Sequence, residues 1–412
     1  MIRVTEEMVP MRDGTLLATD VFVDETSRGP AMLIRTPYGR AQDREEFDPI
    51  ALARMGFAVV IQDVRGRFDS QGICDPFVQE ASDGADAVAW CRTSDWCNGK
   101  VATMGRSYVG STALLAAAHS RVDACSPQLT AGDIRDGWMY ENGILRQGFV
   151  QPWAAGFAGG SLKSQHYKRW QSFSDRGYWD QISVNRRVSK MNTAMFHVAG
   201  WFDIFCEGSL DLYARMVDGA PEPARRSQRL LVGPWTHTDL FNSQTDEIDF
   251  GLAANGRLAM THVEVAQWLF DAVSGGQLLA EAKVFLMGEN RWLDLAAWPP
   301  RAKSLKLFLD DTGGLSRRPQ PHVGRVQFKH RPKDPVPTWG GRSLGPALPW
   351  AGPKDQSGVE SRTDVVTFTT DVLDKDLVIV GEAKAGIYAS STASSADLVV
   401  KLVDVYPDGR SM

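Results

Sequence analysis

The chain has 412 residues, a formal net charge of −5 and the apolar and charged fractions of an ordinary globular protein, so two or three domains are expected rather than one hydrophobic core. The acidic surplus argues against a general nucleic-acid binder and offers no basic face to an anionic membrane. No apolar run approaches the ~20 residues of a membrane span, and Met1-Ile2-Arg3-Val4-Thr5-Glu6-Glu7 lacks a basic-then-apolar leader; we expect a cytoplasmic protein without nucleic-acid or membrane partners.

In chain order, residues 9–11 and 16–23 flank Asp13-Gly14 and predict a hairpin. Residues 31–34 read as a short buried strand that ends at Arg35-Thr36-Pro37-Tyr38. A short helix over 50–55 and a buried strand over 57–61 follow, then a loop over 63–72 and an amphipathic helix over 80–91. Strands alternating with helices predict a mainly parallel sheet covered on both faces. From about Gly132 the pattern breaks into a segment dense in Trp, Tyr and Phe, read as a helical insertion over 132–192. The alternation resumes with strands over 193–200 and 229–233 and helices over 209–216 and 258–273. The expected divisions are therefore 1–131 and 193–301 for the α/β core, 132–192 for the cap and 302–412 for a β-rich part. In the last of these, 306–309, 323–330, 364–370, 377–380, 384–390 and 398–406 read as strands of an antiparallel sandwich. The turn at Pro407-Asp408-Gly409 announces a returning strand for which the sequence leaves no room, so this end is expected to be incomplete.

The segment Gly105-Arg106-Ser107-Tyr108-Val109-Gly110 lies between an apolar strand (100–104) and a helix rich in small residues (111–118). A Ser on a tight strand-to-helix turn has its hydroxyl lifted out of the sheet, and such a turn needs small neighbours so that backbone can pass backbone. A Gly-bounded turn with a surface Ser would look the same. Downstream, Asp203 and His237 each follow a buried strand, giving the order Ser…Asp…His. Ser107 is the candidate nucleophile, inert without a base; His237 is the candidate base; Asp203 would hold the imidazole tautomer. Asp203 could equally cap the helix that follows it. The Tyr108 N–H and the Tyr38 hydroxyl are candidate oxyanion donors, although Tyr38 also suits a core aromatic in a Pro turn.

Four segments together carry a resemblance: Arg35-Thr36-Pro37-Tyr38; Gln62-Asp63-Val64-Arg65-Gly66 through Gly72; Trp96-Cys97-Asn98-Gly99-Lys100-Val101 through Gly110; and Gly200-Trp201-Phe202-Asp203 with Gly233-Pro234-Trp235-Thr236-His237. In order and spacing they resemble the cocaine esterase-like (CocE/NonD) serine hydrolases, relatives of the X-Pro dipeptidyl-peptidases. The resemblance implies an α/β-hydrolase core with an inserted helical cap, followed by a β jelly-roll. It assigns Ser107, Asp203 and His237 to the triad, Tyr38 to the oxyanion hole, and Trp138 and Phe205 to the acyl pocket. It implies no cofactor. The cap looks several tens of residues shorter than in the family and the jelly-roll partial, which suggests C-terminal truncation.

The five cysteines are an odd set with no C-x-x-C pair, which argues for reduced thiols and against a zinc site. The function expected is hydrolysis of a small-molecule carboxylic ester or amide through an acyl-serine. The alternatives are an X-Pro dipeptidyl-peptidase, an α-amino acid ester hydrolase or acylase, and, in another class, an inactive truncated paralogue. A homodimer is left open.

Overall fold

The computed structural model describes residues 1–245, 247–259, 261–278, 280–320, 324–345 and 351–412. The chain opens with the antiparallel pair β1 (Ile2–Pro10) and β2 (Leu16–Asp24), as the hairpin pattern predicts. Then come β3 (Gly29–Thr36), α1 (Arg40–Phe47), α2 (Pro49–Arg54), β4 (Ala58–Asp63), α3 (Glu80–Thr93), β5 (Cys97–Arg106), α4 (Tyr108–His119) and β6 (Ala124–Gln128). β3, β4 and β6 are buried along their whole length. That is the pattern of parallel strands covered on both faces, and it is why they read as apolar runs rather than as alternation. Sequence reasoning missed α1, whose Arg40-Ala41-Gln42-Asp43-Arg44-Glu45-Glu46 run has no apolar stripe. It also missed β6, where Pro127 interrupts the strand signal.

The aromatic-rich segment is helical only in short pieces. It contains a π-turn (Arg135–Met139), the two-residue pair β7 (Tyr140–Glu141) and β8 (Ile144–Leu145), helices α5 (Gln147–Ala155), α6 (Gln165–Trp170) and α7 (Arg176–Gln181), and a 3-10 helix (Val184–Lys190). The core resumes with β9 (Ala194–Phe202), α8 (Cys206–Gly219), α9 (Glu222–Arg225) and β10 (Gln228–Thr236). It closes with the short β11 (Gln244–Thr245) and β12 (Ile248–Asp249), α10 (Thr261–Ser274), β13 (Glu281–Leu286) and β14 (Arg291–Leu295). One ten-stranded sheet results, in the order β1-β2-β4-β3-β5-β6-β9-β10-β13-β14. The pairings from β4 through β13 are parallel, and antiparallel strands stand at both edges.

Beyond residue 302 the expected sandwich ladder is not formed among the described residues. Of the predicted strands only Phe308–Leu309 (β15) pairs regularly, with Leu315–Ser316 (β16); a four-residue helix, α11 (Ser357–Glu360), follows. Thr369 and Val405 make single bridges, to Gly314 and Ser411. Val323, where one predicted strand starts, lies outside the described residues. Alternating apolar residues provide two faces, but a strand is stable only beside a partner, and none among the described residues runs alongside 377–402. Leu398, Val399, Val400 and Leu402 are accordingly exposed. The turn at 407–409 does return: Asp404 and Met412 exchange both backbone hydrogen bonds at 2.7 and 2.8 Å, where the sequence suggested no return at all.

Candidate active site

The site collects at the carboxyl ends of the parallel strands, where ligands gather in open α/β sheets. Ser107 follows β5, with φ 59° and ψ −125°, a strained conformation that points its side chain away from the sheet. The turn tolerates no Cβ at its glycines. One on Gly105 would lie 2.4 Å from the Val109 carbonyl, and one on Gly110 would lie 2.8 Å from the Gly105 oxygen. Both are glycine because backbone occupies the space a side chain would need.

His237 follows β10 through a bulge. The β9–β10 register shifts between Gly233 and Thr236, and the Trp235 ring folds back over Gly233, where a Cβ would meet it at 2.4 Å. Trp235 is fully buried and its Nε1 donates to the Ala254 carbonyl at 2.9 Å. The Gly-Pro-Trp-Thr-His run thus uses a buried Trp anchor to swing His237 out of the strand. His237 Nε2 lies 3.0 Å from Ser107 Oγ, and Nδ1 lies 2.7 Å from Asp203 Oδ1. Asp203 is fully buried just past β9. It is not the helix cap that its position allowed: the N-cap of α8 is Phe205, which makes no side-chain cap bond.

Tyr38 follows β3. Burial pushes its phenol up to about 12, against smaller opposing effects of hydrogen bonds with Trp153 and Ser107, so it is a neutral donor at pH 7. Trp153 Nε1 donates to Tyr38 Oη at 3.4 Å, which leaves the Tyr38 proton free to donate onward. Tyr108 is the first residue of α4, so its N–H has no acceptor within the helix. Its side chain anchors the elbow: Oη donates to Glu80 Oε1 at 3.0 Å and accepts from the Phe77 N–H at 2.8 Å. Glu80 pairs in turn with buried Arg35 at 3.0 Å. Sequence reasoning named Tyr108 for its backbone and missed this buried brace.

Trp138 and Phe205, the two residues the resemblance gives to the acyl pocket, are stacked at 4.1 Å and 18°, both fully buried. The Phe205 ring meets the His237 imidazole edge-on at 5.1 Å. Trp138 Nε1 donates to Thr130 Oγ1 at 3.2 Å. Phe77, Phe149, Trp153, Phe157 and Trp170 complete an aromatic cluster around Tyr108 and Trp138. Aromatic density over 132–188 signalled this cluster, but not which rings meet.

Other titratable groups have structural surroundings. His197 is buried against Gln228 and burial lowers it to about 4. All five cysteines are free, four of them buried, and burial pushes Cys125 and Cys206 up to about 12. A cleft of about 580 Å³ lined by Lys100, Arg121, Asp123 and Lys190 lies at the amino ends of the strands, the opposite end of the sheet from Ser107.

A parallel sheet with a strained serine at a strand–helix elbow, in line with a histidine and a buried aspartate, defines the serine-hydrolase class. The sequence matches the model of X-Pro dipeptidyl-peptidase (S15 family) over residues 13–171 and 160–239. It matches that of the X-Pro dipeptidyl-peptidase C-terminal non-catalytic domain over 275–412. The chain belongs to the S15 family of serine hydrolases. It is 29% identical to cocaine esterase from Rhodococcus sp., with 98% of this chain and 80% of the relative aligned. That alignment spans 474 positions, more than the 412 residues here, so the relative carries insertions this chain lacks. An aminopeptidase from a marine-sediment Thaumarchaeota archaeon superposes with TM-score 0.73 at 22% identity, covering 91% of this chain and 73% of that one. An α-amino acid ester hydrolase superposes with TM-score 0.71 at 23% identity, covering 92% and 74%. The C-terminal match assigns residues 275–412 to the family's C-terminal domain; its first two strands, β13 and β14, join the core sheet, and most of the expected ladder beyond them is not formed among the described residues. Among the described residues no helix is long and apolar enough to cross a membrane.

Proposed function

We propose that the protein hydrolyses small-molecule carboxylic esters through an acyl-serine intermediate. Ser107 is the nucleophile, His237 the base and then the acid, and Asp203 the carboxylate that orients the imidazole. The observation that supports this reading is one unbroken chain, Ser107 Oγ to His237 Nε2 at 3.0 Å and His237 Nδ1 to Asp203 Oδ1 at 2.7 Å. His237 Nε2 takes the hydroxyl proton as Ser107 Oγ attacks the carbonyl carbon. The Nδ1–H stays on the ring, held by Asp203, which stabilises the imidazolium. The Tyr38 hydroxyl and the Tyr108 N–H donate to the oxyanion. His237 then protonates the leaving alcohol, and a water activated by the same nitrogen releases the acid. Amides would follow the same steps with an amine leaving group, and the peptidase names among the relatives make them the second substrate class.

The test is turnover of p-nitrophenyl esters by wild type, Ser107→Ala and His237→Ala. Each variant should lose about 10⁴–10⁶ in kcat. Retained turnover in Ser107→Ala would overturn the assignment.

A further inference from the structure

Arg342 comes from the C-terminal part of the chain, yet its side chain ends between the two elements that carry Trp138 and Phe205. Its Nη2 lies 3.2 Å from Glu141 Oε1 and 2.9 Å from Glu207 Oε1. Glu141 is three residues past Trp138, on β7; Glu207 is two past Phe205, in the first turn of α8. Arg146 ties the same turn from the other side. Its Nη1 donates to the carbonyls of Gly137 and Trp138 at 3.1 and 3.3 Å, and its Nε lies 3.6 Å from Glu141 Oε2. Leu344 packs against the hydrophobic core that includes Trp138, Phe149 and Phe205, and a Cβ on Gly345 would lie 2.9 Å from the Gly148 carbonyl, next to Phe149. Among the described residues the strand-poor C-terminal part therefore reaches the closely packed aromatic cluster through the segment around 342–345, with Arg342 as its charged tip.

We propose that Arg342 is a positioning residue of the acyl pocket. It clamps the Trp138 turn to the start of α8 and neutralises Glu141 and Glu207, which makes the pocket select uncharged acyl groups over acyl groups that carry an ammonium. This rests on the acyl-serine reading above and on the acyl-pocket role that the family resemblance gives Trp138 and Phe205. Arg146 and Arg342 balance the two carboxylates. Without the Arg342 guanidinium, a net negative charge stands beside the stacked Trp138–Phe205 pair and attracts a cation there. Arg342, Glu141 and Glu207 are 33, 40 and 57% exposed; pairs this open contribute little to stability, so removing one leaves the fold standing.

The experiment compares kcat/KM for the p-nitrophenyl esters of 3-phenylpropanoic acid and of phenylalanine, which differ by the α-ammonium. In Arg342→Gln the ratio should move toward the ammonium ester by about 5–10-fold. Arg342→Lys should hold close to the wild-type ratio, and the double variant Glu207→Gln/Arg342→Gln should undo much of the shift. In the wild-type background Glu207→Gln should move the ratio the opposite way, which serves if Arg342→Gln does not fold. A loss of the same factor for both esters, as a purely structural role gives, overturns the proposal. So does a Ser107 that takes a fluorophosphonate label while the uncharged ester is not turned over. Labelling separates the two readings: wild type that fails to label at Ser107 defeats the acyl-serine assignment. Wild type that labels and turns over while the ratio stays fixed in the variants defeats only the role of Arg342.

Discussion

The region up to Leu295 and the region beyond it contain similar apolar, β-prone segments but satisfy them differently. In the first, β3, β4 and β6 are buried and laddered on both sides within one ten-stranded sheet. In the second, Ile379, Ile387, Leu398, Val399 and Leu402 stand exposed without regular strand partners. A strand is a property of a pair. The crossover helices α3 and α4 deliver β5 beside β3 and β6 beside β5, whereas residues 377–402 have the composition without the delivery. All candidate catalytic groups sit in the first region; the second meets, through Arg342, Glu141 and Glu207 on the elements next to Trp138 and Phe205.

Four measurements sharpen or break that contrast. The largest effect is expected from Asp203→Asn. It keeps the shape of a fully buried group but offers the wrong tautomer partner to His237, so kcat should fall by about 10⁴. A fall below tenfold would mean that the 2.7 Å contact is a structural one. Tyr38→Phe should lower kcat by about 10²–10³ with the fold intact by circular dichroism; an unchanged kcat returns Tyr38 to the core. The third concerns the second region. Exposed apolar segments with unpaired backbone are templates for association. Sedimentation velocity should therefore show concentration-dependent self-association that Val400→Lys reduces, and hydrogen exchange should be fast over 397–402 and slow over β3–β6. A monodisperse monomer with protected amides at 397–402 would remove the contrast.

The smallest effect tests the first region alone. Asp43 is 1% exposed behind Tyr38, and burial, with Glu46 and Asp63 adding to it, pushes its carboxyl up to about 7. An unfolded Asp titrates near ~4. The folded value is the higher one, so the stability Asp43 contributes is complete below ~pH 4 and is lost as pH rises through 7. Asp43→Asn removes that loss, and its Tm relative to wild type should rise by about 2–4 °C between pH 5 and pH 8. A Tm difference that does not change with pH would contradict this burial argument.

Much of the architecture was legible because its signals are local. The hairpin, the alternation from β3 to α4, and the strand ends that carry Ser107, Asp203 and His237 each announce themselves within ten residues or so. What stayed hidden depends on distant pairs. The Trp235 bulge needs Ala254 as its acceptor. The Tyr108 brace needs Glu80. Arg342 meets a glutamate 201 residues away. β13 and β14, on either side of the Gly288-Glu289-Asn290 turn, were given no assignment from the sequence, which left 274–301 unread between the helix over 258–273 and the β-rich part. The C-terminal strands failed in the opposite sense: alternation was present, but alternation says nothing about whether a partner arrives.

The central claim is that Ser107, activated by His237, is the residue that carries the acyl group. The most direct measurement is mass spectrometry of the protein after treatment with a fluorophosphonate. The account predicts one adduct per chain, on the peptide containing Ser107, absent in Ser107→Ala and formed far more slowly in His237→Ala. An adduct that persists in Ser107→Ala, or that maps to another residue in wild type, would contradict it.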